Sequence, residues 1–218
     1  HINHKHLKER GLLVSDTNIV DNIMYTKKVE GIALTELLMS AYIDGKEKEV
    51  YDIWDKIFYE IKRSSEESSK LNAIFNSSSD MALSGFGEND KVLKNIYVDM
   101  IHKNCFVQEN GDYVWIDQEW CLNDIPASFG LFYNIIELYS DNKNIEKYIP
   151  MSEVIEHYNL QNKFECYYNL KQVFLNTVQN KYSAFNYRQL SEMKDDDITK
   201  NIRMLYDNMH NHNEKQIS

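Results

Sequence analysis

Three oxygen-bearing side chains near the middle of the chain have the types and spacing to act together: Asp99, Asn104 and Asp117. Asp99 follows the apolar run Ile96-Tyr97-Val98. Asn104 lies five positions on and opens Cys105-Phe106-Val107, and Asp117 closes Tyr113-Val114-Trp115-Ile116. Between the last two runs stands Asn110-Gly111, the strongest short-range signal for a β-hairpin. A hairpin of this length brings its ends together, so Asn104 and Asp117 are expected at one edge with Asp99 beside them. An amide oxygen and a carboxylate at one point suit a hard divalent cation, usually Mg²⁺, that holds phosphates. The remaining carboxylate, Asp99, can orient an attacking hydroxyl and receive its proton. The plain alternative is that each residue caps a strand end or a turn, as short polar side chains often do.

Spacing alone does not select this set. With 16 Asp and 23 Asn in the chain, about two D-x-x-x-x-N matches are expected by chance. Three occur: Asp90/Asn95, Asp99/Asn104 and Asp196/Asn201. Asp99/Asn104 alone is embedded in strand-like runs and followed by a hairpin that returns an Asp. Glu119 shares strand parity with Asp117, which makes it a candidate second ligand or a surface carboxylate. His102 and Lys103 neighbour the site. His4 and His6 have the look of a metal pair, and solvated histidines near a terminus are the simpler reading. Cys105 and Cys121 read as small apolar packers, Trp115 as core and Trp120 as rim.

The elements that must position these residues are mostly helical. His1 to Leu13 reads as the end of a helix and Asn22 to Glu30 as strand-like up to Gly31. Thr35 is placed to cap a helix carrying Leu34, Leu37, Leu38 and Tyr42. Val50, Ile53, Trp54, Ile57, Phe58 and Ile61 recur in steps of three and four, an amphipathic helix of about five turns. Ser64 to Asp90, with its serine and glycine clusters, reads as an exposed loop, either a lid over the cleft or a free strand of chain. The β-rich patch runs from Ile96 to Trp120. After Pro126 the helical period returns with Phe129, Phe132, Tyr133, Ile136 and Tyr139 on one face. Ser152 can cap a further helix, Phe164 to Val178 is a long one, and Ile198 to Met209 is the last, ahead of a fraying end.

Composition narrows the function classes. The chain has 218 residues, enough for one good core or two small ones. Gly (7) and Pro (2) are too scarce for a many-stranded sandwich or barrel. A net charge of −10 disfavours nucleic acid and anionic lipid as partners, because phosphate contacts dominate both. No apolar run approaches the ~20 residues of a membrane span. Three cysteines without a C-x-x-C pair argue against a disulfide scaffold or thiolate zinc site, and a reducing, cytoplasmic setting is expected.

The run IYVDMIHKN, the hairpin, and then VWIDQEW resemble the catalytic loop and metal-binding segment of the protein-kinase-like fold. The small-molecule branch, which includes aminoglycoside and choline kinases, is the most similar. The resemblance implies that Asp99 is the catalytic base, Asn104 a Mg²⁺ ligand and Asp117 the principal Mg²⁺ ligand. The 18 positions from Asp99 to Asp117 are about what the family uses. MYTKKVEGIALTELL resembles the family's inter-lobe hinge, which would place adenine of ATP against backbone at Lys28, Val29 and Glu30. IDQEW followed closely by a helix implies no long activation segment. Similar IDQEW segments occur in bacterial surface-polysaccharide proteins in which a kinase-like region follows a methyltransferase domain.

The chain departs from the pattern at several points. Tyr97 stands in place of the His two before the catalytic Asp, Ile101 stands where a Lys or His often contacts phosphate, and Gln118-Glu119 replaces Phe-Gly. About 24 residues precede the hinge, too short for strands plus a helix, and they contain one glycine, so a Gly-rich phosphate loop is not expected among them. The chain begins with His1, and the expectation is a piece of a longer protein. The expected fold is therefore α+β and mainly helical: a kinase-like C-terminal lobe with a small β-hairpin at the catalytic loop and the N-terminal lobe largely missing. Residues 1–30 would be the remnant of the small lobe and hinge, and 31–218 the large lobe. The expected function is an ATP- and Mg²⁺-dependent phosphotransferase acting on a hydroxyl of a small molecule or glycan, with a fused methyltransferase or glycosyltransferase domain as possible partner. The alternatives are a non-catalytic docking or glycan-binding module and a purely structural helical domain.

Overall fold

The computed structural model describes residues 2–21, 23–73, 75 and 90–181, which form an α+β arrangement that is mainly helical. In chain order the elements are α1 (Ile2–Glu9), β1 (Leu13–Val14), β2 (Thr17–Val20), β3 (Ile23–Thr26), β4 (Ile32–Ala33), α2 (Leu34–Ile43), α3 (Glu47–Arg63), β5 (Val92–Tyr97), β6 (Cys105–Val107), β7 (Tyr113–Trp115), β8 (Cys121–Pro126), α4 (Ala127–Asp141), α5 (Met151–His157) and α6 (Phe164–Lys181). The chain divides into two units between residues 169 and 170. Among the described residues, no helix is long and apolar enough to cross a membrane.

A helix and three strands do fit ahead of the hinge, against the length argument. They fit because each is short. β1 is two residues, pairing in parallel with β7 (Leu13↔Val114, Val14↔Trp115). β2 and β3 form a tight hairpin that turns through Asp21 at φ 50°.

The larger sheet has the order β1-β7-β6-β4. Its β6–β7 hairpin is the one that Asn110-Gly111 signals. Gly111 N–H donates to the Gln108 carbonyl (2.8 Å) and Gln108 N–H to the Asp112 carbonyl (2.9 Å). Gly111 sits at φ 85°, and no positive φ occurs at Asn110. The connection is thus the longer kind, a turn closed by a left-handed residue, in place of a two-residue one. The strand β8 lies inside what reads from sequence as a direct step from IDQEW into a helix. It pairs antiparallel with β5, Tyr97 opposite Cys121 and Val92 opposite Pro126. Its signal is weak because the run CLNDIP contains Asn123, Asp124 and Pro126, and Asp124 is left-handed at φ 57°.

Helix α3 buries Val50, Ile53, Trp54, Ile57 and Ile61, as its period requires. Glu47 and Glu49 in its first turn and Lys62 and Arg63 in its last complement the helix dipole. Helix α4 differs from the one-faced helix expected. Every residue from Ala127 to Ile136 is buried, because α4 is packed by α3, α5, β5 and β8 at once. Thr35 does not cap α2, whose N-cap is Ala33, and Ser152 is exposed inside α5, whose N-cap is Pro150. The start of the serine-rich loop is not free chain. Ser64 and Ser65 are buried, Glu67 bridges to Leu93, and Lys94 N–H donates to the Glu66 carbonyl (2.8 Å). Most of the expected lid and the helix expected at Ile198 to Met209 lie outside the described residues.

Candidate functional site

Two ladders carry the three candidate residues to one place. The β6–β7 register sets Cys105 opposite Trp115, and one step further Ile116 N–H donates to the Asn104 carbonyl (2.9 Å). The β5–β8 ladder runs one step beyond its strands, where Val98 N–H donates to the Trp120 carbonyl (3.0 Å). Asp99 therefore lies alongside the segment 117–120. Its Oδ2 accepts the backbone N–H groups of Glu119 (2.8 Å) and Trp120 (2.7 Å). Its carbonyl accepts Asn104 Nδ2 (3.1 Å) and Gln118 Nε2 (2.9 Å). The Asn104 amide nitrogen is thus committed to a carbonyl, which leaves its Oδ1 as the end able to bind a cation.

Asp117 sits at φ 55°. That left-handed conformation is costly for a residue with a Cβ, and it ends the strand alternation. Asp117 and Glu119, which share parity in an extended strand, are here set by the turn, and both are exposed. Both line a cavity of about 230 Å³, together with His4, Thr17, Thr26, Ile116 and Gln118.

Burial pushes the Asp99 carboxyl up to about 6. The two backbone N–H donors oppose that rise, and the nearby Asp117 and Glu119 carboxylates add to it. A carboxylate so placed is largely ionised at neutral pH yet more basic than usual, which suits proton acceptance.

Helix α1 braces this segment from the other end of the sequence, a role that nothing in the amino-acid pattern signalled. Asn3 Nδ2 donates to the carbonyls of Gln118 (3.1 Å) and Glu119 (3.0 Å). His4 is buried; its Nδ1 bonds the Ser15 carbonyl (3.2 Å) and its Nε2 accepts Gln118 N–H (3.2 Å). A carbonyl can only accept, so Nδ1 carries the proton and the ring is neutral. Burial, the dominant influence, lowers its pKa in keeping with that. His4 is therefore a strut and not a metal ligand.

His102, a neighbour of the site in sequence whose plainer reading is a solvated loop histidine, is fully buried instead. Its Nδ1 meets Thr35 Oγ1 at 2.8 Å and its backbone N–H donates to Asn134 Oδ1 at 2.8 Å. Burial drives it down to about 4, so it is neutral. Asn134 also donates to the Met100 carbonyl (2.8 Å), and together these bonds pin the Asp99–Asn104 loop to α4. Lys103 pairs with Glu137 and Asp141 on α4. Both basic residues beside the sequence motif, the neutral His102 and the cationic Lys103, are thus spent on holding the loop. Cys105 and Trp115 are buried and Trp120 is half-buried, as their sequence context indicates.

Lys28, Val29 and Glu30 connect β3 to β4 and belong to neither strand. Gly31 follows at φ 137°, where an added Cβ would stand 2.5 Å from the Val107 carbonyl oxygen. A broad groove of about 740 Å³ opens beside them, lined by Glu30, Gly31, Ile32, Leu37, Val107 and the hairpin loop.

Among the described residues, no three His, Cys, Asp or Glu side chains converge as a metal cage. The donors present, Asn104 Oδ1 and the exposed Asp117 carboxylate, fit the sparse protein ligation of Mg²⁺, which keeps waters and phosphate oxygens for its other positions. Comparison of the chain with protein-family models, curated proteins and solved structures finds no match in any of the three.

Proposed function

We propose that the chain is the large lobe of an ATP- and Mg²⁺-dependent phosphotransferase that acts on a hydroxyl of a small molecule or glycan, with the kinase-like design its central motifs resemble. The observation that carries this reading is the position of the Asp99 carboxylate. Two backbone N–H groups fix one oxygen, burial raises its basicity, and Asn104 and Asp117 flank it on adjoining segments. Asp99 orients the acceptor hydroxyl and takes its proton. Asn104 and Asp117 hold Mg²⁺, which supplies positive charge to the phosphates when bound. The charged groups lining the cavity, Asp117 and Glu119, are acidic, so a triphosphate has to enter with its cation. The unstranded backbone at Lys28, Val29 and Glu30 is the place for adenine, next to the groove before β4. A fused methyltransferase or glycosyltransferase domain is the partner consistent with a role in bacterial surface-polysaccharide modification.

Calorimetry of the full chain with ATP, with and without Mg²⁺, tests the site. Binding is expected only with Mg²⁺, and Asp117→Ala and Asn104→Ala should each abolish it. Asp99→Asn should keep it. If Asp117→Ala binds Mg²⁺ and nucleotide as well as the parent, the assignment is wrong. ATP binding without Mg²⁺ dependence would favour a non-catalytic docking module.

A further inference from the structure

A second pocket, of about 180 Å³, lies between the end of α1, the end of α3 and strand β5, and none of the residues assigned above to nucleotide or metal lines it. Its floor includes Tyr97, the last residue of β5. Tyr97 is only 4% exposed, and its hydroxyl, which makes no hydrogen bond among the described residues, is not among their buried unpaired atoms and so is reached from the pocket. Its pKa is raised to about 12, chiefly by burial, so it remains protonated and can only donate to a negatively charged oxygen.

Two acidic residues, Glu9 and Glu66, and two basic ones, Arg10 and Lys94, line it. His6 on α1 and Arg10, in the turn one residue past its end, line the same pocket. Glu66 is matched by Lys94 at 2.5 Å, and Glu9 by Lys5 at 3.8 Å. Arg10 has no carboxylate within ion-pairing distance among the described residues. Its Nε donates weakly to the Arg63 carbonyl (3.4 Å), which leaves the guanidinium's terminal nitrogens unassigned. A planar fork of donors, a protonated phenol and a neighbouring imidazole form a receptor for a planar or tetrahedral oxyanion.

We propose that this pocket is a second ligand site, taking a small molecule through a carboxylate or phosphate group held by Arg10 and Tyr97. Tyr97 stands two residues before Asp99 on the same segment, so occupancy of the pocket bears on the loop that carries Asp99. The site stands independently of the phosphotransferase reading.

The test is a titration of the full chain, followed by amide NMR, with inorganic phosphate in one arm and malonate in the other, at constant ionic strength. Saturable shifts are expected at Arg10, Ser65 and Tyr97 in at least one arm, and the tighter arm names the headgroup. Arg10→Gln and Tyr97→Phe should each weaken binding about tenfold through loss of a charge-assisted hydrogen bond, whereas Lys5→Gln should not. Tyr97→Phe removes one oxygen and keeps the buried ring, so the fold survives the test. Shifts that fail to saturate in both arms, or binding that neither variant weakens, would overturn the proposal.

Discussion

His4 Nε2 accepts the backbone N–H of Gln118 at 3.2 Å, across 114 positions of sequence. This bond and the two from Asn3 fasten α1 to the turn that holds Asp117 at its left-handed φ. Removing the imidazole leaves a buried N–H and the Ser15 carbonyl unsatisfied, a cost of about 1–3 kcal/mol. His4→Ala should therefore lower the urea midpoint and, more tellingly, speed amide exchange at Gln118 and Glu119. Unchanged exchange there would mean that the turn holds its shape without α1.

Asp99 should make stability fall as pH rises. Its carboxyl titrates at about 6 in the folded chain against 3.8 for the free group, so the folded state binds the proton more tightly. Stability is therefore lost between roughly pH 4 and 6, and the deficit persists above. At ~1.4 kcal/mol per pH unit the limit is about 3 kcal/mol, and partial exposure reduces it. Asp99→Asn keeps an acceptor for Glu119 and Trp120 N–H and removes the buried charge. It should be more stable than the parent at pH 7.5 by about 1–3 kcal/mol, with the gap closing near pH 4. Equal denaturation midpoints at pH 7.5 would contradict this.

The helices of the core and the β6–β7 hairpin were legible because each rests on a local signal: the three-and-four spacing from Val50 to Ile61, and Asn110-Gly111 between alternating runs. The nearness of the Asn104 and Asp117 segments followed from that hairpin, whereas Asp99 is brought alongside by the β5–β8 ladder. What was not legible depends on partners distant in sequence. β8 is a strand only because β5 pairs with it, and its own Asn, Asp and Pro argue otherwise. His102 next to a polar motif reads most simply as a solvated loop residue, and only Thr35 and Asn134 turn it into an anchor. His4 gave no sign of bracing Gln118, since nothing in a short polar helix says which distant turn it meets.

Gly31 should be irreplaceable, in contrast to Gly45. At Gly31 a Cβ would meet the Val107 carbonyl oxygen at 2.5 Å, and φ is 137°. At Gly45 φ is 66° and no atom lies within 4 Å. Gly45→Ala should cost only the left-handed strain, about 1 kcal/mol. Gly31→Ala adds a backbone clash that separates β4 from β6, where Ile32 pairs with Val107. Its loss should exceed that of Gly45→Ala by about 1–3 kcal/mol in urea denaturation. Equal costs would show that the close approach of the two backbones is dispensable.

Asp90 organises the start of α4 and should be the most sensitive carboxylate outside the candidate site. Its Oδ1 accepts Ser128 N–H (3.0 Å), and its Oδ2 accepts Ser128 Oγ–H (2.6 Å) and pairs with Lys163. Ser128 Oγ also meets the hydroxyl of the fully buried Tyr167 at 2.7 Å. The carboxylate thus satisfies an orphan donor of the helix N-terminus and a half-buried ammonium together. Asp90→Ala should cost about 3–5 kcal/mol, the range for breaking a buried pair from one side. Asp90→Asn retains an oxygen acceptor for Ser128 and gives up the charge, so it should fall between the parent and the alanine variant. A urea series that places Asp90→Ala within about 1 kcal/mol of the parent, the range of exposed ion pairs, would mean that solvent reaches this network.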